Sequence, residues 1–313
     1  MNKKEFKENL KKVNQFRILK DQDILGLINN LKDTGFNAKR LARACEIYKE
    51  MVEDKECVKF FGLAGALVPA GMQGIIHDFI EEGFIDILVT TGANLTHDIA
   101  ETLGYHHLQG DLKVDNLDDS YLLDEEMNRI YDVFLPNKVY EGIEDFVKNL
   151  NIPDVHMPVS DFLKFLGEQL PEDSNSILKV CSIRNIPIFC PAFTDSGLAL
   201  QLGFNHQKLN LNHFKDMLKM VDLAWDAKKA GVCIVGGGVP KNFIMQSLQF
   251  CPNSASYAIQ ITMDRPEPGG LSGATLQEAI SWGKVNPNAK YSTVISDATI
   301  ALPLIFWYLK KII

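Results

Sequence analysis

The chain of 313 residues has no apolar run near the ~18 residues that a membrane-spanning helix needs. Its opening, MNKKEFKENLKK, is rich in charge and lacks the apolar centre of a secretory signal. An excess of positive charge is missing as well: 32 Lys and Arg against 40 Asp and Glu leave a formal net charge of −8. That balance argues against a nucleic-acid surface, which must neutralise phosphates. The six cysteines (Cys45, Cys57, Cys181, Cys190, Cys233 and Cys251) form no CxxC pair and have no histidine at ligand spacing, so neither a disulfide framework nor a metal site is expected. Internal repeats, low-complexity tracts and Pro/Gly/Ser linkers are also lacking. The absences together predict a soluble, cytoplasmic protein, a single domain over 1–313, with reduced and mostly buried thiols.

What is present is alternation. Short apolar or β-branched runs alternate with segments of helical period, the pattern of a parallel sheet covered by helices. The strand candidates are CVKFFGLA (57–64), IDILVTT (85–91), IPIFC (186–190), GVCIVGG (231–237), YAIQIT (257–262) and STVIS (292–296). Several are apolar throughout, as strands buried on both faces are. In HFKDMLKMVDLAWDAKKA, Phe214, Met217, Leu218, Val221 and Trp225 recur at three- and four-residue spacing, which predicts a helix whose apolar stripe joins the core. Residues 1–55 read as a helical N-terminal portion packed on the sheet edge, with Ile24, Leu25 and Ile28 on one side and a break at DTGFNAK (33–39). Residues 104–135 read least regularly. There GDLKVDNLDDSYLLDEE places seven acids in seventeen residues and predicts a solvated loop or a subunit contact.

In an open parallel sheet a ligand binds beyond the carboxyl ends of the strands. Here the strands are followed by GLAGALVPAG (62–71), TTGANLTHD (90–98), PAFTDSG (191–197), GGGVPKNF (236–243), TMDRPEPGGLSGAT (262–275) and SDAT (296–299). Glycine lets backbone N–H groups come close to a ligand, and a helix start just beyond favours an anion such as a pyrophosphate. Pro240 suits the first turn of such a helix. Asp195, Asp264 and Asp297 offer acceptors for ribose hydroxyls or ammonium groups. A tight strand-to-helix connection explains any one of these turns equally well, and none is the GxGxxG fingerprint.

One further stretch, EAISWGK (278–284), sets a carboxylate, an indole and a lysine within seven residues. Thr275 stands three residues before Glu278, the spacing of a capping box, which gives Glu278 a structural explanation. Glu278 and Trp282 are four apart and share a helix face, while Gly283 stops the helix and leaves Lys284 at its end. A lysine there is either a solvated charge complementing the helix dipole or a nucleophile.

Taken together, GGGVPKNF, YAIQIT, GGLSGATLQEAISWGK and ISDATIALPL, with the earlier LVTTGANLTHD and NIPIFCPAFTDSG, resemble the deoxyhypusine synthase family from about Phe36 to Leu304, in its archaeal and bacterial branch. The resemblance implies an α/β, Rossmann-like open parallel sheet with helices on both faces. It also implies an NAD-dependent transferase. Hydride leaves a carbon beside the secondary amine of spermidine, a lysine captures the resulting imine, and the aminobutyl group passes to a lysine of translation initiation factor 5A precursor. Relatives use putrescine as acceptor and make homospermidine; a protein that binds NAD or a polyamine without turnover is a further alternative. Family members are homotetramers with active sites across a dimer interface. No metal, nucleic acid or membrane is implied.

Carried over position by position, the imine-forming lysine is Lys284, with Glu278 holding an ammonium group and Trp282 adding a cation–π contact. Cofactor contacts fall on Gly65, Ala66 and Leu67, on Thr91, Gly92 and Ala93, and on Asp195, Gly237, Met263, Asp264, Asp297 and Ala298. The first of these loops matches the family only in place, because its serines are Gly65 and Pro69 here. Substrate positions are Asn242, where the family has histidine, Thr96 and His97, where it has a glutamate pair, and Gly269, Gly270 and Leu271. Leu200 and Leu271 stand where eukaryotic enzymes carry polyamine-binding acids. Each charged hydrogen bond is worth roughly 1.5–3 kcal/mol, so this loss bears on specificity. His97 has a capping or structural alternative, His106 and His107 read as surface or interface, and Lys241 reads either as a phosphate contact or as a solvated charge at a helix start.

Overall fold

The computed structural model describes residues 10–153 and 155–313. All six strand candidates pair in one parallel sheet: β1 (Cys57–Leu63), β2 (Ile87–Thr90), β3 (Ile188–Phe189), β4 (Lys229–Val235), β5 (Ala255–Thr262) and β6 (Val285–Ile295). Their spatial order is β6-β5-β4-β1-β2-β3, with Phe61 opposite both Leu88 and Cys233. The chain builds outward from β1 on one side through β2 and β3, then returns to β1's other edge and builds outward again through β4, β5 and β6. In such a doubly wound sheet the order reverses between β1 and β4, and a crevice opens there at the carboxyl ends.

Burial on both faces explains why the strands are legible. Val232, Ile234, Ala258 and Phe60 pack into one apolar cluster and Cys233, Val235, Ile259 and Phe61 into the other, on opposite sides of the sheet. Burial also keeps the thiols protonated, pushing Cys45, Cys57 and Cys190 up to about 12, and all six cysteines are free. No helix among the described residues is long and apolar enough to cross a membrane.

Four expectations change. β6 begins at Val285, seven residues before the predicted Ser292, because an edge strand tolerates the polar NPNAK segment and its proline; the register slips between Ala255 and Tyr257 to absorb it. The helices Ile24–Lys32 and Phe36–Glu53 are present, but the second lies across β6, β5 and β1 rather than beside the sheet. Residues 1–9 of the expected N-terminal portion lie outside the described residues. Between residues 104 and 136 the chain forms a small antiparallel sheet, Leu108–Gln109, Val133–Pro136 and Met127–Ile130, instead of a loop.

The fourth change is the largest. Helix His213–Asp226 buries Asp216, Met220 and Ala224, while Phe214, Leu218 and Trp225 of the predicted core stripe are exposed and Val221 is half-buried. The small face of the helix meets its neighbours. Phe214, Met217 and Val221 of the stripe instead line a groove of about 480 Å³ with Val239, Phe243 and Phe250.

Candidate active site

Lys284 is positioned by the end of a short helix. Thr275 caps helix Leu276–Ser281, its Oγ1 accepting from the Glu278 N–H at 3.0 Å. Gly283 adopts φ 69°, where a side chain would be strained, and the chain then closes with Gly283 N–H on Ile280 O and Lys284 N–H on Ala279 O, both at 3.0 Å. This is the two-bond Schellman stop that glycine makes easy. From it the Lys284 side chain rises past Trp282, its Nζ 5.3 Å from the ring centroid. The lysine is half-buried in a cavity of about 150 Å³ lined by Met245, Leu271, Ala279 and Trp282 on the apolar side and by Lys241, Asn242, Thr275 and Glu278 on the polar side. Glu278 is its single acid.

The wall above the lysine is loop 263–275, and a buried polar network holds it. Lys241 Nζ donates to Gln260 Oε1 at 3.0 Å, Leu271 O at 3.1 Å and Ala274 O at 2.5 Å, using all three protons of an ammonium. Gln260 Nε2 in turn donates to Gly236 O and Ser272 O. Burial brings the Lys241 amine down to about 8, with Glu278 pulling the other way and Lys284 adding to the fall. Loop and glycine turn pack without slack: a Cβ on Gly237 would lie 2.5 Å from Ser272 Cα, and one on Gly273 would meet Arg265 O.

At the carboxyl edge the turns differ in how open they are. Gly65 and Ala66 are exposed after β1, Gly65 at φ 83° with empty space beside it, and Leu67 is buried. After β2, Thr91 caps helix Gly92–Thr102, Gly92 is pressed on Ser196, and Ala93 is exposed. Asp195, Met263, Asp264 and Asp297 are exposed, Ala298 is half-buried, and Asp297 caps its own helix through Thr299 N–H at 2.7 Å.

Comparison with known proteins agrees with this architecture. A family model described as deoxyhypusine synthase matches residues 26–309. "Probable deoxyhypusine synthase 1" of Methanosarcina acetivorans is 46% identical over 294 residues, 92% of this chain and 91% of its own length. The protein of the same name from Archaeoglobus fulgidus is 43% identical over 285 residues, covering 90% and 92%. A crystal structure of a "putative deoxyhypusine synthase" from Entamoeba histolytica superposes with a TM-score of 0.65 at 20% identity, covering 94% of this chain and 95% of that one, which shows the fold. The chain belongs to the deoxyhypusine synthase family.

In this synthase-family chain, Glu278, Trp282, Asn242 and Leu271, expected from the sequence at substrate positions, gather around Lys284. Gly269 and Gly270 are exposed on the loop above them, Gly269 at φ 72°. Leu200 and its neighbour Phe204 are exposed on helix Gly197–Asn205. Thr96 is tied up internally, donating to Gly92 O at 2.9 Å and accepting from Leu198 N–H at 3.1 Å.

His97 and His107, expected separately, are hydrogen-bonded to each other at 2.9 Å, with Glu101 behind His107 at 2.6 Å. The spacing of His97 and Glu101 along one helix face was a signal for that pair; nothing local to the sequence announces His107. Lys241 is neither a solvated charge nor placed to reach a phosphate, since three oxygens hold it in the interior.

Proposed function

We propose that this chain is a deoxyhypusine synthase in activity: a transferase that moves the 4-aminobutyl group of spermidine, with NAD as cofactor, through an imine on Lys284 to a lysine of translation initiation factor 5A precursor. The observation that carries the reading is the Lys284 pocket. A half-buried primary amine lies over an indole in a small cavity with apolar walls and one carboxylate, so a nucleophile and an anchor for a polyamine's ammonium stand side by side. Glu278 accepts from the distal ammonium of the polyamine, and Trp282 offers its ring face to a cation.

The carboxyl-edge turns fit a dinucleotide. Open Gly65 and the N-termini of helices Gly92–Thr102, Gly238–Gln249 and Ala298–Ile312 supply backbone donors for phosphates around the switch point, and exposed Asp195, Asp264 and Asp297 supply acceptors for ribose hydroxyls. Bound there, the nicotinamide supplies hydride transfer. The Lys284 cavity takes in Lys241 and Asn242 of helix Gly238–Gln249 but not Gly65, Asp195, Asp264 or Asp297, so the reading includes a second subunit that completes the site, as in a homotetramer. The exposed stripe of helix His213–Asp226 and the groove beside it, which shares Asn242 and Leu271 with the lysine pocket, support such a contact.

Leu271 in the pocket wall, where a second acid would grip a dication, favours one alternative, a relative that uses putrescine as acceptor. Incubation with NAD and labelled spermidine, borohydride reduction and peptide mapping test the reading: label on Lys284, lost in Lys284→Ala, is expected. Absence of label with NAD bound would reduce the protein to a binder. Adding factor precursor or putrescine then identifies the acceptor.

A further inference from the structure

Helix Gly92–Thr102 carries Ala93, His97 and Glu101 at four-residue spacing, so the three share a face. Ala93 is exposed at the first turn, on the carboxyl edge; His97 lies one turn further in and Glu101 one turn beyond it. From the loop after the helix His107 reaches between the last two, with Nδ1 2.6 Å from Glu101 Oε1 and Nε2 2.9 Å from His97 Nδ1. The His107 N–H donates to the same carboxylate oxygen at 2.8 Å, and His106 Nδ1 lies 2.9 Å from the other.

With neutral rings one proton arrangement satisfies these contacts. An ionised Glu101 accepts from His107 Nδ1–H, which leaves His107 Nε2 as a lone pair that must accept from His97 Nδ1–H. His97 Nε2 is then unprotonated, and it has no hydrogen-bond partner among the described residues. We infer that His97 Nε2 is the proton acceptor of the active site, and that His107 and Glu101 are positioning residues that draw the resulting charge away from it. The inference rests on the proposed function, in which a secondary ammonium must lose its proton before hydride can leave the neighbouring carbon. In the step, the ligand N–H bond breaks, its electron pair stays on the ligand nitrogen, and a proton bonds to His97 Nε2. The Nδ1 proton of His97 passes to His107 Nε2, and the positive charge ends on His107 against the Glu101 carboxylate. Nothing is oxidised or reduced.

The relay answers a physical difficulty. Burial, and then the nearby His107, bring the His97 imidazole down to about 4, so on its own it is a weak base at neutral pH. Burial works against the charged form of Glu101 as well, but hydrogen bonds from His107 and His106 outweigh it and hold the carboxyl at about 2, ionised and ready to face an imidazolium. No other titratable group acts strongly on His97. Asp98 points to the opposite side, toward Ser176 and Gln73; helix Gly197–Asn205 meets the neighbouring Thr96 through Leu198 N–H, and Tyr140 of helix Lys138–Lys148 lies beside Gly197.

The test measures NADH formation from spermidine across pH in wild type, His97→Gln and His107→Phe. ¹⁵N spectra of histidine-labelled wild type accompany it, with the His97 signals identified by their loss in His97→Gln. Borohydride trapping of 4-aminobutanal on Lys284, which bypasses the oxidation, checks each variant's fold and lysine. The expected results are an unprotonated His97 Nε2 and a fall of about 10²–10³-fold in NADH formation for His97→Gln, with the spermidine KM little changed. For His107→Phe the rate is expected to fall and the acid limb of its profile to move to lower pH, with aldehyde trapping intact in both variants. A protonated Nε2 overturns the relay; so does a His107→Phe rate that falls with its acid limb in place, the mark of a purely structural role. A wild type that traps the aldehyde but leaves NAD unreduced fails the transferase reading, and the ¹⁵N result alone then decides the relay.

Discussion

Lys241 and Gln260 meet at 3.0 Å inside the protein, 3% and 1% exposed, and together they bind loop 263–275 to the glycine turn after β4. Replacing Lys241 with methionine keeps much of the side-chain volume but strands three oxygens that now accept from its ammonium. Leaving buried acceptors unpaired costs about 1–3 kcal/mol each, and loop relaxation recovers part of it. Lys241→Met is therefore expected to lower the melting temperature and to open the loop to trypsin at Arg265, seen as a new cleavage in limited proteolysis. Unchanged protection would show that the network does not hold the loop.

Asp98 is fully buried and accepts from Ile177 N–H, Leu178 N–H, Ser176 Oγ and Gln73 Nε2, so it caps helix Ile177–Arg184 from a different helix. Burial pushes its carboxyl up, while the four donors pull it back toward the ionised form. Asp98→Asn swaps an acceptor oxygen for an NH₂ that faces donors. The expected loss is about 2–4 kcal/mol in urea unfolding, since a charged, buried network is broken from one side. A loss under 0.5 kcal/mol would contradict it.

Acid should destabilise the fold in two stages. His97 is held at about 4 in the folded chain, below an ordinary histidine, so the unfolded chain takes up its proton first and stability drains as pH falls from about 6.5 toward 4. Glu101, held at about 2, contributes stability that is complete above about 4.5 and is lost as pH falls through 4.5 toward 2. The His97 stage is on the order of 3 kcal/mol. Denaturant titrations at pH 7.5, 5.5 and 4.0 should show it in wild type, and His97→Gln should flatten the upper stage while leaving the lower.

Phe214 is 77% exposed and Trp225 55%, on the face of their helix turned away from the core. Phe214→Asp should leave the chain folded by circular dichroism, yet shift sedimentation to a smaller species if this face is a subunit contact as proposed. A large loss of helicity would instead return the stripe to the core.

Much of the sheet was legible because burial on both faces leaves no room for polar alternation: Val232 to Val235 could hardly be anything else. The first half of β6 was not, since an edge strand pairs on one side only and carries polar residues and a proline freely. Helical spacing showed that Phe214 and Met217 share a face, but spacing does not say what that face meets. The helix end that carries Lys284 was legible because Thr275, Glu278 and Gly283 act within ten residues. The burial of Lys241 was hidden, because its three acceptors come from positions 260, 271 and 274 and converge only in the folded chain. His107 joins His97 from ten positions along the chain, beyond any periodic signal.

The loop from 263 to 275 has two working sides: Ser272 sits against Gly237 and Gly238 at the sheet edge, and Leu271 walls the lysine cavity. Neighbours in sequence cannot move independently, so whatever displaces one must disturb the other. Ligands arriving on the two sides will then not be strangers to each other, and occupancy of the edge should alter how quickly the amine behind the wall is reached. Order-of-addition kinetics, rather than affinity at either place alone, is where this chain should show its character.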